Sequence, residues 1–135
     1  MICEGASEKV FLDYLLNNEW IDLKDRHLYI LDSLGKFNIH RFMNLFASLG
    51  IKHSILMDSD ENETQQIVNE FIENCKNTYT VNIDLFDKDL EDFLGIPTPP
   101  RKDLKPLNIM YQHKNESITE EKIAELRGKI ESLIE

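Results

Sequence analysis

The run Met1-Ile2-Cys3-Glu4-Gly5-Ala6-Ser7-Glu8, read together with Ile55-Leu56-Met57-Asp58-Ser59-Asp60, decides the fold. Both are short apolar stretches that stop abruptly at carboxylates. An open parallel sheet produces this pattern, because its strands are buried on both faces and their carboxyl ends open into a ligand crevice. The acids at positions 4, 8, 58 and 60 are therefore expected along one edge of one sheet.

Outward from these two runs, strand-like and helix-like segments alternate. Val10, Phe11, Tyr14 and Leu15 recur at helical spacing after a candidate N-cap at Ser7, which predicts a helix to about Asn18. His27 to Leu31 is a near-continuous apolar run and reads as the second strand. Ile39, Phe42, Met43, Phe46 and Leu49 mark a second helix that Gly50 closes. Ser54 to Met57 is the third strand. Ile67, Val68, Phe71, Ile72 and Cys75 define a third helix, and Tyr79 to Ile83 a fourth strand. The predicted class is α/β: a Rossmann-like, mostly parallel sheet of about four strands joined by right-handed crossovers and flanked by helices.

Ile96-Pro97-Thr98-Pro99-Pro100 then breaks the pattern, since neither a helix interior nor a central strand tolerates it. A C-terminal helical segment follows, with Ile123, Leu126, Ile130, Leu133 and Ile134 as its apolar stripe and Glu116, Glu120 and Glu121 at its N-terminal end. That stripe suits core packing, or less commonly a partner helix.

A chain of 135 residues with 41% hydrophobic and 30% charged content suits one domain with one core, here residues 1–135. Only three residues precede Glu4, so the first strand is read as truncated and the domain as excised from a longer protein. No apolar stretch approaches the roughly 20 residues of a membrane span, and no signal segment is evident, so the expected location is cytoplasmic. Cys3 and Cys75 lack metal-type spacing and read as small buried hydrophobes rather than a disulfide. The net charge of −10 opposes binding nucleic acid through a basic face alone. It serves solubility, or, where clustered, holds divalent cations that reverse the sign of the site.

Placement of the acids carries the chemistry. Asp58 and Asp60, two apart at a strand end, point the same way in extended backbone and can share a cation, although an exposed acidic turn explains the pair equally well. Glu61 and Glu63 read as first-turn helix acids. Glu8 at a helix start is stabilising in its own right. Glu4, directly before Gly5, has no such structural explanation. Asp87-Lys88-Asp89-Leu90-Glu91-Asp92 follows the fourth strand, with a solvated turn as the competing reading, and Lys105-Pro106 sits in the final loop, where a lone lysine is usually at the surface. Carboxylates with one lysine suit phosphoryl chemistry on Mg²⁺ or Mn²⁺: the acids hold hard cations and the lysine offsets transition-state charge. Zinc is disfavoured because His27, His40, His53 and His113 show no ligand pairing. There is no nucleophile elbow and no Walker loop.

The ordered set resembles the Toprim domain, and within it the nuclease domain of the overcoming-lysogenisation-defect family. The matching residues are Glu4-Gly5-x-Ser7-Glu8, Leu34-Gly35-Lys36, Asp58-x-Asp60, Asp89-Leu90-Glu91 and Lys105-Pro106. The family often carries a second glycine where Leu34 stands. The resemblance implies a Toprim-like fold and a divalent-metal-dependent DNA endonuclease, with Glu4, Glu8, Asp58, Asp60 and Glu91 as ligands of two Mg²⁺ or Mn²⁺ ions. Glu4 would also act as general base and Lys105 as the catalytic lysine. It further implies an ATP-binding-cassette-type ATPase on the parent chain, through which copies could assemble, and no membrane.

Two rivals stand beside this reading. A Toprim-like module that binds metal or docks onto a partner without cleaving is compatible with the acidic surface and the final amphipathic helix. A receiver-type phosphoacceptor domain shares the doubly wound layout and a Lys-Pro pair, but wants its paired aspartates after the first strand and a lone one after the third.

Overall fold

The computed structural model describes residues 1–60 and 62–135, so Glu61 lies outside the described residues. Four strands, β1 (Ile2–Cys3), β2 (Leu31–Asp32), β3 (His53–Asp58) and β4 (Thr80–Phe86), form one sheet in the order β2-β1-β3-β4. Every pairing is parallel. Ile2 sits opposite Leu31 and Ile55, and Cys3 opposite Asp32 and Leu56. Around the sheet lie α1 (Ala6–Asn18), α2 (Ile21–Lys24), α3 (Ile39–Ser48), α4 (Glu63–Asn74), α5 (Leu90–Leu94), α6 (Lys105–Lys114) and α7 (Glu120–Ile134). Glu63 opens α4, as expected.

The two-residue alternation of strand side chains divides the interior into two cores. Ile2, Ile55 and Met57 pack with Ile39 and Met43 of α3 and Val68 and Ile72 of α4. Cys3, Leu56 and Phe86 join Phe11, Leu12 and Leu15 of α1 and Leu126, Ile130 and Leu133 of α7. Because β1 and β3 are buried on both sides, they read as unbroken apolar runs rather than as alternating ones. Each fully buried leucine, isoleucine or phenylalanine contributes about 1.5–3 kcal/mol relative to exposure. The stripe of α7 is thus core, packed against β3 and β4.

Several boundaries differ from expectation for physical reasons. The apolar run His27–Leu31 contributes only its last residue to the sheet, because His27 turns at φ +60° and pairing begins where Leu31 N–H donates to the Met1 carbonyl. The N-cap of α1 is Gly5, not Ser7, which is buried inside the first turn. Gly5 has extended backbone at φ −158°, a conformation open to any residue. The glycine that the chain needs is Gly35, at φ +120°. Glu116 lies outside α7 at φ +58°, and Thr119 caps that helix by accepting from Lys122 N–H. Both cysteines are free. Cys3 is fully buried and its thiol donates to the Leu31 carbonyl at 3.2 Å. No helix among the described residues is long and apolar enough to cross a membrane.

Candidate metal-binding active site

β1 lies between β2 and β3, so the chain leaves β1 toward one side of the sheet and later returns on the other. Crossovers of opposite sense part the loops at this point, and a crevice opens beyond the carboxyl ends of β1 and β3. It encloses about 410 Å³ and is lined by Glu4, Glu8, Asp32, Asp58, Lys102 and Lys105, among others. A hollow of about 440 Å³ at the opposite ends of the strands is lined by residues such as Leu28, Ile51 and His53, with no carboxylate side chain.

Each expected residue can be located. Glu4 leaves the end of β1, and its Oε2 accepts from Asp58 N–H at 3.0 Å, joining the ends of the two central strands. Glu8 stands in the first turn of α1 and is buried. Asp58 ends β3 with its Oδ1 enclosed and without a hydrogen-bond partner. Glu91 is 1% exposed on α5, beneath the crevice, and neither carboxylate oxygen is hydrogen-bonded. Its Oε2 lies 3.5 Å from Lys105 Nζ, an ionic contact rather than a hydrogen bond. Lys105 opens α6, where Pro106 occupies a first-turn position that costs no hydrogen bond. The final loop expected around Lys105-Pro106 is therefore a helix start. Asp89 is the N-cap of α5, accepting from Asp92 N–H at 2.8 Å, so the acidic turn divides into a capping residue and a buried acid.

Asp60 departs from expectation. It takes a left-handed conformation, φ +51°, so Asp58 and Asp60 are not successive same-side residues of an extended strand. Its carboxylate is held instead by Lys36 Nζ at 2.9 Å. Lys36 is only 4% exposed and also donates to the Asp58 carbonyl at 2.6 Å. The sequence gives Lys36 no role beyond its place in Leu34-Gly35-Lys36, since nothing in a single chain marks a lysine as buried. Asp32 was likewise missed, although it obeys the rule of the opening runs: an apolar strand ending in a carboxylate. Its Oδ1 accepts from Leu34 N–H at 2.8 Å.

The crevice is short of positive charge. Burial, and then the carboxylates of Glu8 and Glu4, push Asp58 up to about 9. Burial, with Glu4 and Glu91 adding to it, pushes Glu8 up to about 7. Glu4 is also raised, by burial first, against the opposing pull of the Asp58 N–H and Lys36. Burial pulls Lys105 down, but Glu91, Asp89, Asp58 and Glu8 outweigh it and leave the ammonium above its ordinary value.

As placed, no three His, Cys, Asp or Glu side chains among the described residues form a ready chelate. The residues nonetheless fit a hard divalent ion. The donors are all oxygen, Asp58 Oδ1 and both Glu91 oxygens are buried without partners, and protons that Asp58 and Glu8 retain near neutrality would be displaced to solvent by a binding cation.

Residues 1–60 match the family described as overcoming lysogenization defect protein-like, TOPRIM domain. This part of the chain is similar to a Toprim domain. The Toprim segment comprises β1, β2 and β3 with Glu4, Glu8, Lys36, Asp58 and Asp60, whereas Glu91 and Lys105 come from beyond it. That similarity supports a nuclease-type, metal-binding domain at the general level. The four-stranded parallel sheet with helices on both faces is the Toprim-like α/β architecture expected from the strand ends. A comparison with curated proteins finds no match.

Proposed function

We propose that the chain is the nuclease domain of an overcoming-lysogenisation-defect protein and hydrolyses DNA phosphodiesters with two Mg²⁺ or Mn²⁺ ions. The observation that carries this reading is the buried, under-neutralised carboxylate cluster at the switch point of a Toprim sheet. Glu4, Glu8, Asp58 and Glu91 are the candidate ligands around the crevice, and Asp60 becomes one on release from Lys36. When bound, the ions would polarise the phosphate and supply a nucleophilic hydroxide at neutral pH.

The chain's own residues do the rest. Glu4 is positioned by the Asp58 N–H and, with a raised proton affinity, is suited to take a proton from water. Lys105 is fixed at the start of α6 against Glu91, and its ammonium offsets charge that develops on the phosphate. Lys102 lines the same wall and offers a contact to the DNA backbone. An ATP-binding-cassette-type ATPase on the parent chain, assembly through it and a cytoplasmic location belong to the same proposal, on the strength of the family resemblance.

Supercoiled plasmid incubated with Mn²⁺ or Mg²⁺ tests the reading. Nicking or linearisation is expected, abolished by Asp58→Ala and by chelator. Equal cleavage by wild type and Asp58→Ala would overturn it. A non-cleaving metal module would bind Mn²⁺ in calorimetry yet leave DNA intact even when joined to the ATPase part. A receiver domain would instead take up a labile acyl phosphate from a small phosphodonor.

A further inference from the structure

Lys36 is the only cationic side chain among the described residues that is almost wholly buried, and it is surrounded by the oxygens of this site. Its Nζ lies 2.6 Å from the Asp58 carbonyl, 2.9 Å from Asp60 Oδ2 and 4.0 Å from Glu4 Oε2. Those oxygens come from three positions on the carboxyl edge of β1 and β3. An all-oxygen cage around a compact charge is also what a hard metal ion selects.

The loop carrying Asp60 is shaped to keep this arrangement. Asn69 Nδ2 donates to the Ser59 carbonyl at 2.7 Å, and Gln66 Nε2 donates to the Asp60 carbonyl at 2.5 Å. Both amides come from α4. With Lys36 on the Asp58 carbonyl, three successive carbonyls are thus tied down, which holds Asp60 in its left-handed conformation and aims its carboxylate at the ammonium.

We propose that Lys36 is the resident cation of the carboxylate cluster, a positioning residue whose ammonium fills an oxygen cage built by Glu4, Asp58 and Asp60 and must withdraw from Asp60 before a divalent ion can engage it. The proposal rests on the metal-dependent reading above and adds a competitor built into the chain. Lys36 keeps Asp60 preorganised and unavailable until an ion of higher charge arrives. The site then discriminates by charge, because a monovalent ion gains nothing over the ammonium already in place.

The test uses the full chain and calorimetric titration with Mn²⁺. Lys36→Met is expected to bind Mn²⁺ at least about tenfold more tightly than wild type, because a unit charge a few ångströms from the ion has been removed. Lys36→Arg should stay near wild type. In wild-type protein without metal, the Lys36 ammonium should give a slowly exchanging ¹H–¹⁵N resonance, and saturating Mg²⁺ should shift it or abolish its protection. Unchanged or weaker Mn²⁺ binding by Lys36→Met, with binding by wild type intact, overturns the proposal. So does an ammonium resonance unmoved at Mg²⁺ saturation, a readout that stands even if Lys36→Met does not fold. If neither wild type nor variant binds Mn²⁺, the metal reading itself fails, and this inference with it.

Discussion

The two walls of the crevice hold their acids in different ways. On the β1–β3 wall, Lys36 is enclosed and hydrogen-bonded to Asp58 and Asp60, within the Toprim segment. On the α5–α6 wall, Lys105 is partly exposed and meets the buried Glu91 at 3.5 Å, outside that segment. One ammonium has satisfied geometry and little access to solvent, whereas the other has a loose ionic contact and an open path to the crevice. The difference separates holding from acting: Lys36 fixes the shape of the site, and Lys105 remains free to meet an anion.

Asp58→Ala should have the largest effect, since Asp58 faces both walls. Plasmid cleavage is expected to fall by at least about 10³-fold. The metal-free variant should melt at a higher temperature than wild type, because a buried carboxylate without a partner on one oxygen has been removed. Activity retained within tenfold would mean that the two walls do not share an ion. Lys105→Ala comes next, with single-turnover cleavage down about 10²-fold and Mn²⁺ affinity in calorimetry within a few-fold of wild type. A large loss of Mn²⁺ affinity would place Lys105 among the holding groups and erase the contrast.

Proton linkage sharpens the same comparison in the absence of metal. Asp58 and Glu8 have folded-state values raised to about 9 and about 7, so between the ordinary carboxylate range and those values the native protein binds more protons than the unfolded chain. Stability contributed by this uptake is fully present only below the ordinary carboxylate range and is lost progressively as pH rises from there, until about 7 for Glu8 and about 9 for Asp58. In chelator, the melting temperature at pH 9 should lie at least about 4 °C below that at pH 5.5, equivalent to about 1 kcal/mol for a chain of this size. Asp58→Asn should remove most of the slope, and a flat wild-type profile would contradict the burial argument.

The smallest effect concerns the turn that delivers Lys36. Leu34 is exposed at φ +60°, a conformation that costs a non-glycine residue about 1–2 kcal/mol. Leu34→Gly should therefore raise the melting temperature by about 2–4 °C, a net gain of about 0.5–1 kcal/mol after the added freedom of the unfolded chain. A destabilised variant would show that Leu34 makes contacts that outweigh the strain.

Strand ends were the most legible part of the sequence. Glu4, Glu8 and Asp58 follow from apolar runs cut off by acids, and the structure brings them to one crevice. Glu91 was legible as a residue but not as a buried one, because Asp89, Glu91 and Asp92 look alike until the cap of α5 is seen. Helix α6 escaped detection because Ile109 is its only buried residue, and Pro106 reads as a break although it suits a first turn. Asp60 and Lys36 were misjudged for one shared reason. A positive φ on an aspartate and the burial of a lysine are both imposed by tertiary contacts, from α4 and from β3, that leave no local trace.

Cys3 adds a consequence of a different kind. Its thiol, on the central strand β1, is sealed in the core with Phe11, Leu12 and Leu15 of α1, one residue before Glu4, with burial and nearby acids raising it far above an ordinary thiol, whereas Cys75 is partly exposed. Alkylating reagents should modify the two at very different rates. The slow one is a chemical clock for parting of the central strands, so any ligand that clamps the crevice should lengthen its half-life without a label being introduced.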